Sequence, residues 1–339
     1  MKVLFIGGTG LISSACAEAA IERGMELFLL TRGKSTKYAV PRGAQTITGD
    51  INGDVTELSN TLAKYSFDAV VNWIAFRTPD VERDIKLFAG RTRQYIFISS
   101  ASAYQKPSTH YKITEDTPLA NPYWQYSRDK IACESRVLQE YRDNNFPVTI
   151  VRPSLTYGPS QIPFAVGSWA HPYTVIDRMR RGKKVIVPGD GSSLWTCTWN
   201  GDFAKGFVGL LGREEALGHA FHITSDETLT WDQLFTIAAH AAGAEPRLEH
   251  IASDLIAAHL PENTGGLIGD KAVSVVFDNS KIKRFVPGFV ATVPWSEGVR
   301  RALAWLDADP ARRTIDEEAN AKWDRLIMAY ERAFPHKQN

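Results

Sequence analysis

Cysteine is scarce in this chain of 339 residues: Cys16, Cys133 and Cys197 are the full set. An odd, widely spaced trio closes no disulfide framework and matches no zinc-ligand spacing, so the expectation is three reduced thiols and no metal. No apolar run reaches the ~18 residues a spanning helix needs, so no spanning helix is expected. Charge of one sign is missing too. Lys and Arg number 39 against 38 Asp and Glu, for a net +1. That balance gives no reason to expect nucleic acid or an anionic membrane as partner. Neither an internal repeat nor a low-complexity segment is present. Met1 leads directly into the apolar stretch 2–6, the pattern expected of a cytoplasmic protein with no signal peptide.

What is present is a rhythm. Short Val/Ile/Leu runs at 3–6, 27–30, 46–47, 69–71, 95–98 and 148–151 alternate with amphipathic stretches at 11–23, 55–65, 79–88 and 122–142. Fully apolar strands alternating with helices predict a parallel sheet covered on both faces. The fold class is therefore α/β, a doubly wound Rossmann sheet. After Arg152-Pro153 the rhythm breaks and Pro, Gly and Trp become frequent. We expect a Rossmann core over 1–153 and a smaller mixed α/β substrate lobe over 154–310, interleaved with returning core elements. A C-terminal helix is expected over 311–339, with Trp323, Ile327 and Tyr330 on one stripe.

Gly7-Gly8-Thr9-Gly10 falls between the first strand and the first helix. Small residues there let the backbone turn sharply and approach a pyrophosphate, beside the unpaired N–H groups of the helix start. Ser13 stands where a third glycine would fall, which loosens helix–strand packing without abolishing binding. NAD-preferring sites place Asp or Glu at the end of the second strand. Here Thr31-Arg32-Gly33-Lys34 stands there. Arg32 suits a 2′-phosphate through its planar fork, so NADP is favoured over NAD, with a solvated loop as the plainer reading. Asp50 is read either as acceptor for the adenine amino group or as a turn residue.

Tyr126 and Lys130 lie four residues apart, one turn from each other on a helix. A free phenol has a pKa of ~10, and bringing it near 7 takes about 4 kcal/mol. A neighbouring ammonium and an oxidised nicotinamide ring are two charges able to supply it. Ser100, beyond the apolar run 95–98, is placed to hydrogen-bond a substrate oxygen.

Taken together, the glycine loop, Val71-Asn72-Trp73-Ile74-Ala75, Ser99-Ser100-Ala101-Ser102-Ala103-Tyr104, the Tyr126/Lys130 pair and Arg152 to Pro159 resemble the extended branch of the short-chain dehydrogenase/reductase superfamily, epimerase/dehydratase-like. The resemblance covers about residues 1 to 305. It implies Ser100, Tyr126 and Lys130 as catalytic residues. It implies a cofactor site from Gly7, Gly10, Leu11, Ile12, Arg32, Asp50, Ile51, Ala75, Lys130 and Pro153. For the substrate the candidates are Ser100, Ser102, Tyr126 and Trp195, with His171 read either as a substrate contact or as a loop histidine with no role; the resemblance implies a nucleotide-sugar or related compound and homodimers built on helix pairs.

Two departures matter. Dehydratases of the branch carry Asp-Glu directly after the Ser/Thr, and here Ala101-Ser102 follow instead, which points to epimerisation or carbonyl reduction. Many members also carry an Arg soon after Gly-Asp-Gly, where this chain has Leu194-Trp195. Trp195 either stacks on a substrate ring or packs a core. Arg178, Arg180 and Arg181 are the alternative cations. Glu115-Asp116 and Glu317-Glu318 are expected in solvent. The expected function is an NAD(P)-dependent epimerase or reductase acting on a hydroxyl or keto carbon of a sugar-like substrate. The alternatives are an NADPH-dependent reductase of a non-sugar carbonyl and a non-catalytic dinucleotide-sensing or RNA-binding relative.

Overall fold

The six apolar runs and one further strand pair into a single parallel sheet. In the computed structural model, which describes residues 1–34 and 38–334, the strands are β1 (Lys2–Ile6), β2 (Glu26–Thr31), β3 (Gln45–Thr48), β4 (Phe67–Asn72), β5 (Thr92–Ile98), β6 (Val148–Arg152) and β7 (Ala220–His222). Their order is β7-β6-β5-β4-β1-β2-β3, and every pairing is parallel. The chain therefore winds outward from β1 in both directions, the doubly wound arrangement.

Side chains alternate across a strand, so each strand feeds two cores. Val3, Phe5, Leu27, Leu29, Val71 and Ile96 face one side, with Cys16, Ala17 and Ala20 of α1 (Leu11–Glu22) and Phe203 and Phe207 of the helix Asn200–Leu210. Leu4, Ile6, Phe28, Val70, Tyr95 and Phe97 face the other, against Val81 and Ile85 of α3 (Thr78–Phe88) and Cys133 and Val137 of α4 (Gln125–Asn144). The short α2 (Val55–Leu62) adds Leu58 and Leu62 to that side. The three cysteines are buried free thiols.

A third core lies outside the two faces of the sheet, and in it Trp195, Trp231 and Trp295 are fully buried. Four two-stranded pairs shape it. One joins Lys112–Ile113 to Val276–Phe277 and so ties two segments far apart in the chain. The C-terminal helix Glu317–Arg332 buries Trp323, Leu326 and Ile327 against that core. Tyr330 packs against it partly exposed.

Candidate active site

The strand order reverses between β1 and β4, and the crevice at the carboxyl ends of those strands is where such folds hold ligands. At the end of β1 the chain turns through Gly7 and Gly8, at φ +94 and +98. A Cβ on Gly8 would stand 2.8 Å from Leu29 Cδ2, so a side chain is excluded by both conformation and space. The N–H of Gly10 donates to Ser13 Oγ at 2.9 Å. The serine in place of a third glycine thus acts as a cap for the helix start, rather than merely loosening the packing.

Gly7, Gly10, Leu11 and Ile12 line a cavity of about 490 Å³ that runs past Trp73 and Ile74 to Ser100, Tyr126, Lys130 and Pro153. A second cavity of about 310 Å³ shares Gly7, Thr9 and Ile74 with it and continues to Arg32, Lys34, Asp50 and Ile51. This elongated, glycine-floored trough, with cations at one end, fits a dinucleotide. Arg32 lies 3.9 Å from Asp50, and both are well exposed. Asp50 also accepts from the backbone N–H of Asn52 at 3.0 Å, which is the turn role.

Lys130 is buried. Its ammonium donates to the carbonyls of Ala75 at 2.6 Å and Ile98 at 2.7 Å and lies 4.6 Å from the ring centre of Phe76. Burial pulls its pKa down to about 8. Ala75 is fully buried and enters the site only through that carbonyl, not as a wall of the trough. The turn that presents it is set by Asn72, whose Oδ1 accepts from the N–H of Ile74 at 2.8 Å.

Tyr126, on the first turn of α4, leans on Trp124 with ring centres 4.9 Å apart. Burial raises its phenol above the ordinary value, a hydrogen bond with Ser100 lowers it in part, and the charge of Asp270 raises it further. The lowering expected from Lys130 therefore does not prevail in the protein alone. The ammonium is turned onto two carbonyls, 5.8 Å from the centre of the phenol ring. The hydroxyls of Ser100 and Ser102 lie 2.9 Å apart, and Ser127 donates to Ser102 at 2.7 Å.

Ser100, Tyr126 and Pro153 also line a third cavity, of about 260 Å³, bordered by Leu155, Trp195 and Phe277 of the third core. Its wall holds Ser102 and Trp195, and also Lys106, Trp124, Asp270 and Lys271. Sequence reasoning passed over those four. Lys106 sits in an irregular loop and Asp270-Lys271 close a π-helical turn, Leu267–Lys271, far away in the chain. No local spacing marks them.

Other expectations are corrected. His171 lines none of these cavities; its ring lies 2.9 Å from Thr314 Oγ1. The arginines 178, 180 and 181 are engaged elsewhere. Arg178 is buried on Asn320 and Asp324, Arg180 forks onto Asp307, and Arg181 pairs with Asp177. Glu115 is largely buried and accepts from the N–H of His222 at 3.3 Å, whereas Asp116, Glu317 and Glu318 are exposed as expected.

Sheet and glycine turn together give the scaffold of the extended short-chain dehydrogenase/reductase type. The chain belongs to the NAD dependent epimerase/dehydratase family, whose model matches residues 3–224. A chloroplast stem-loop binding protein of 41 kDa from Arabidopsis thaliana is 27% identical over 261 residues, which are 74% of this chain and 65% of that protein. A UDP-glucose 4-epimerase from Lactobacillus helveticus is 30% identical over 152 residues, 40% of this chain and 45% of that protein. The matches thus span less than two thirds of either relative's length. The crystal structure of UDP-glucuronic acid 4-epimerase from Bacillus cereus, with UDP-glucuronic acid and NAD, superposes with a TM-score of 0.72 at 19% identity, covering 91% of this chain and 99% of that one. Among the described residues no helix is long and apolar enough to cross a membrane, and no cluster of metal-ligating side chains occurs.

Proposed function

We propose that this chain is an NAD(P)-dependent epimerase or reductase that acts on a hydroxyl or keto carbon of a sugar or nucleotide-sugar-like substrate. The observation carrying the proposal is the meeting of Ser100 and Tyr126 at the junction of the dinucleotide-shaped trough with a separate cavity. A substrate oxygen at that junction stands beside the cofactor trough and within reach of a proton donor. When bound, the dinucleotide supplies hydride exchange and, in its oxidised form, a positive charge.

The chain's own groups do the rest. Gly7, Gly10, Leu11 and Ile12 hold the pyrophosphate end. Ile51 and Asp50 border the adenosine end. Lys130, fixed on two carbonyls, keeps one N–H for the ribose next to Tyr126. Ser100 orients the substrate oxygen, and Tyr126 moves its proton. A phenol kept protonated by burial is poised to donate to a carbonyl oxygen, and taking a proton from a hydroxyl requires added positive charge beside it.

Arg32 and Lys34, with no carboxylate at the end of β2, favour NADP, although the Bacillus cereus enzyme was solved with NAD. Dehydration is disfavoured. Ala101 and Ser102 occupy the acid's place, and the one carboxylate in the third cavity, Asp270, already faces two lysines. For the RNA-binding alternative there is a relative named as a stem-loop binding protein, but a net charge of +1 and an intact Ser/Tyr/Lys set speak against it. The aromatic wall of the third cavity keeps a non-sugar ketone as the other alternative.

The protein purified with its cofactor tests the choice between the two reactions. Oxidised cofactor retained without net consumption supports epimerisation. Stoichiometric consumption of reduced cofactor supports reduction. If Tyr126→Phe left either activity intact, the proposal would fail.

A further inference from the structure

The third cavity contains an arrangement that the proton chemistry does not use. Lys106 and Lys271 are both buried, with side chains only 2% and 7% exposed, and they flank a single carboxylate. Lys106 Nζ lies 3.6 Å from Asp270 Oδ1, and Lys271 Nζ lies 3.2 Å from Oδ2. Their other contacts are long. Lys106 reaches the Asp270 carbonyl at 3.5 Å, and Lys271 the Gly266 carbonyl at 3.4 Å. Lys130, by contrast, makes two bonds of 2.6 and 2.7 Å. Two buried ammoniums thus share one negative charge and have donors to spare, a costly state unless an anion completes it.

The arrangement is built rather than incidental. Lys106 lies 5.6 Å over the Trp195 ring and Lys271 5.9 Å over Trp124, aromatic faces that support cations. The indole N–H of Trp195 is itself buried without a partner. Asn121 ties the segment to the chemistry: its amide donates to the Gly269 carbonyl at 2.6 Å and to the Ser102 carbonyl at 2.8 Å. Trp231 Nε1 fixes the Lys271 carbonyl at 3.0 Å. The cations therefore stand at a fixed offset from Ser100 and Tyr126.

We propose that Lys106 and Lys271 receive an anionic group of the substrate, a carboxylate or a phosphate, in the cavity that opens from Ser100 and Tyr126. This rests on the reading of that cavity as the substrate's. The wall carries net +1, so a neutral sugar leaves one charge unanswered and a sugar bearing an anion matches it.

Calorimetric titration of the cofactor-saturated protein tests the proposal with three probes: glucuronate, glucose 1-phosphate and neutral glucose. The anions are expected to bind more tightly than glucose, and the better of the two identifies the group. Lys106→Met and Lys271→Met are each expected to weaken anion binding about tenfold or more and to leave glucose unaffected. Asp270→Asn is expected to tighten it, an opposite change that damage to the fold cannot produce and that keeps the test decisive if Lys271→Met fails to fold. Neither anion binding at millimolar concentration, anions and glucose binding alike, or affinities unmoved by the variants would overturn the subsite. A Tyr126→Phe protein with full turnover would instead overturn the proposed chemistry, so the two failures are distinguishable.

Discussion

Lys130 and Tyr126 show how burial sets the terms for single residues. A lysine with a folded pKa of about 8 is charged below that value and loses its proton above it, well before an unfolded lysine at ~10.4. With Lys130 required as a cation, kcat/KM is expected to fall as pH rises through about 8. A pH profile of wild type against Lys130→Met checks this, since the variant should be nearly inactive with that limb absent. The same depression has a stability consequence of opposite sign. Between pH 8 and 10 the unfolded chain holds the proton that the folded chain has released, so this residue's contribution to stability rises with pH there. Tyr126→Phe removes the proton donor and leaves the packing on Trp124, so activity should fall by about 10²–10⁴-fold with an unchanged melting temperature. Arg32→Ala is expected to raise KM for NADPH about tenfold and leave that for NADH nearly unchanged, which steady-state kinetics with both dinucleotides would detect.

Elements place those residues, and here the sequence was most legible. The runs at 3–6, 69–71 and 95–98 read as strands because they are apolar on both faces, and the helix carrying Tyr126 read as one because its apolar stripe is long. The edge strand β3 was faint, since only Ile47 in it is buried. The α4 boundary shifted because Asn145 adopts a left-handed cap at φ 56, a stop that apolar periodicity does not reveal. The helix Trp295–Asp307 was overlooked, although it buries Trp295, Val299, Ala302, Leu303 and Leu306 along one face. The position of α4 depends on a buried pair, in which Arg152 at the end of β6 forks onto Glu134, its NH2 group 2.6 Å from Oε2. Removing one partner strands a buried charge, so Glu134→Ala should cost about 3–5 kcal/mol in denaturant unfolding. Activity should suffer as well, because α4 carries both Tyr126 and Lys130.

At the scale of the whole molecule, the proposed cofactor half of the site is drawn from segments of the first half of the chain that follow one another in order, residues 7–169. The substrate half is assembled from 100–126, 153–195 and 270–277. Residues such as Lys106 and Lys271 meet there only because Asn121 and the strand pairing of Lys112–Ile113 with Val276–Phe277 bring distant segments together. Sequence spacing carries no trace of such a meeting, so the anion-binding pair emerged from the fold alone. The phenol at the seam of the two halves is the central claim, because burial holds it protonated until positive charge arrives beside it. Its most direct test is a spectrophotometric titration of phenolate, taken as the difference between wild type and Tyr126→Phe, with and without saturating oxidised dinucleotide. We predict a Tyr126 transition above the ordinary tyrosine value without the dinucleotide and a clear shift to lower pH with it. Identical titrations in both conditions would contradict the account.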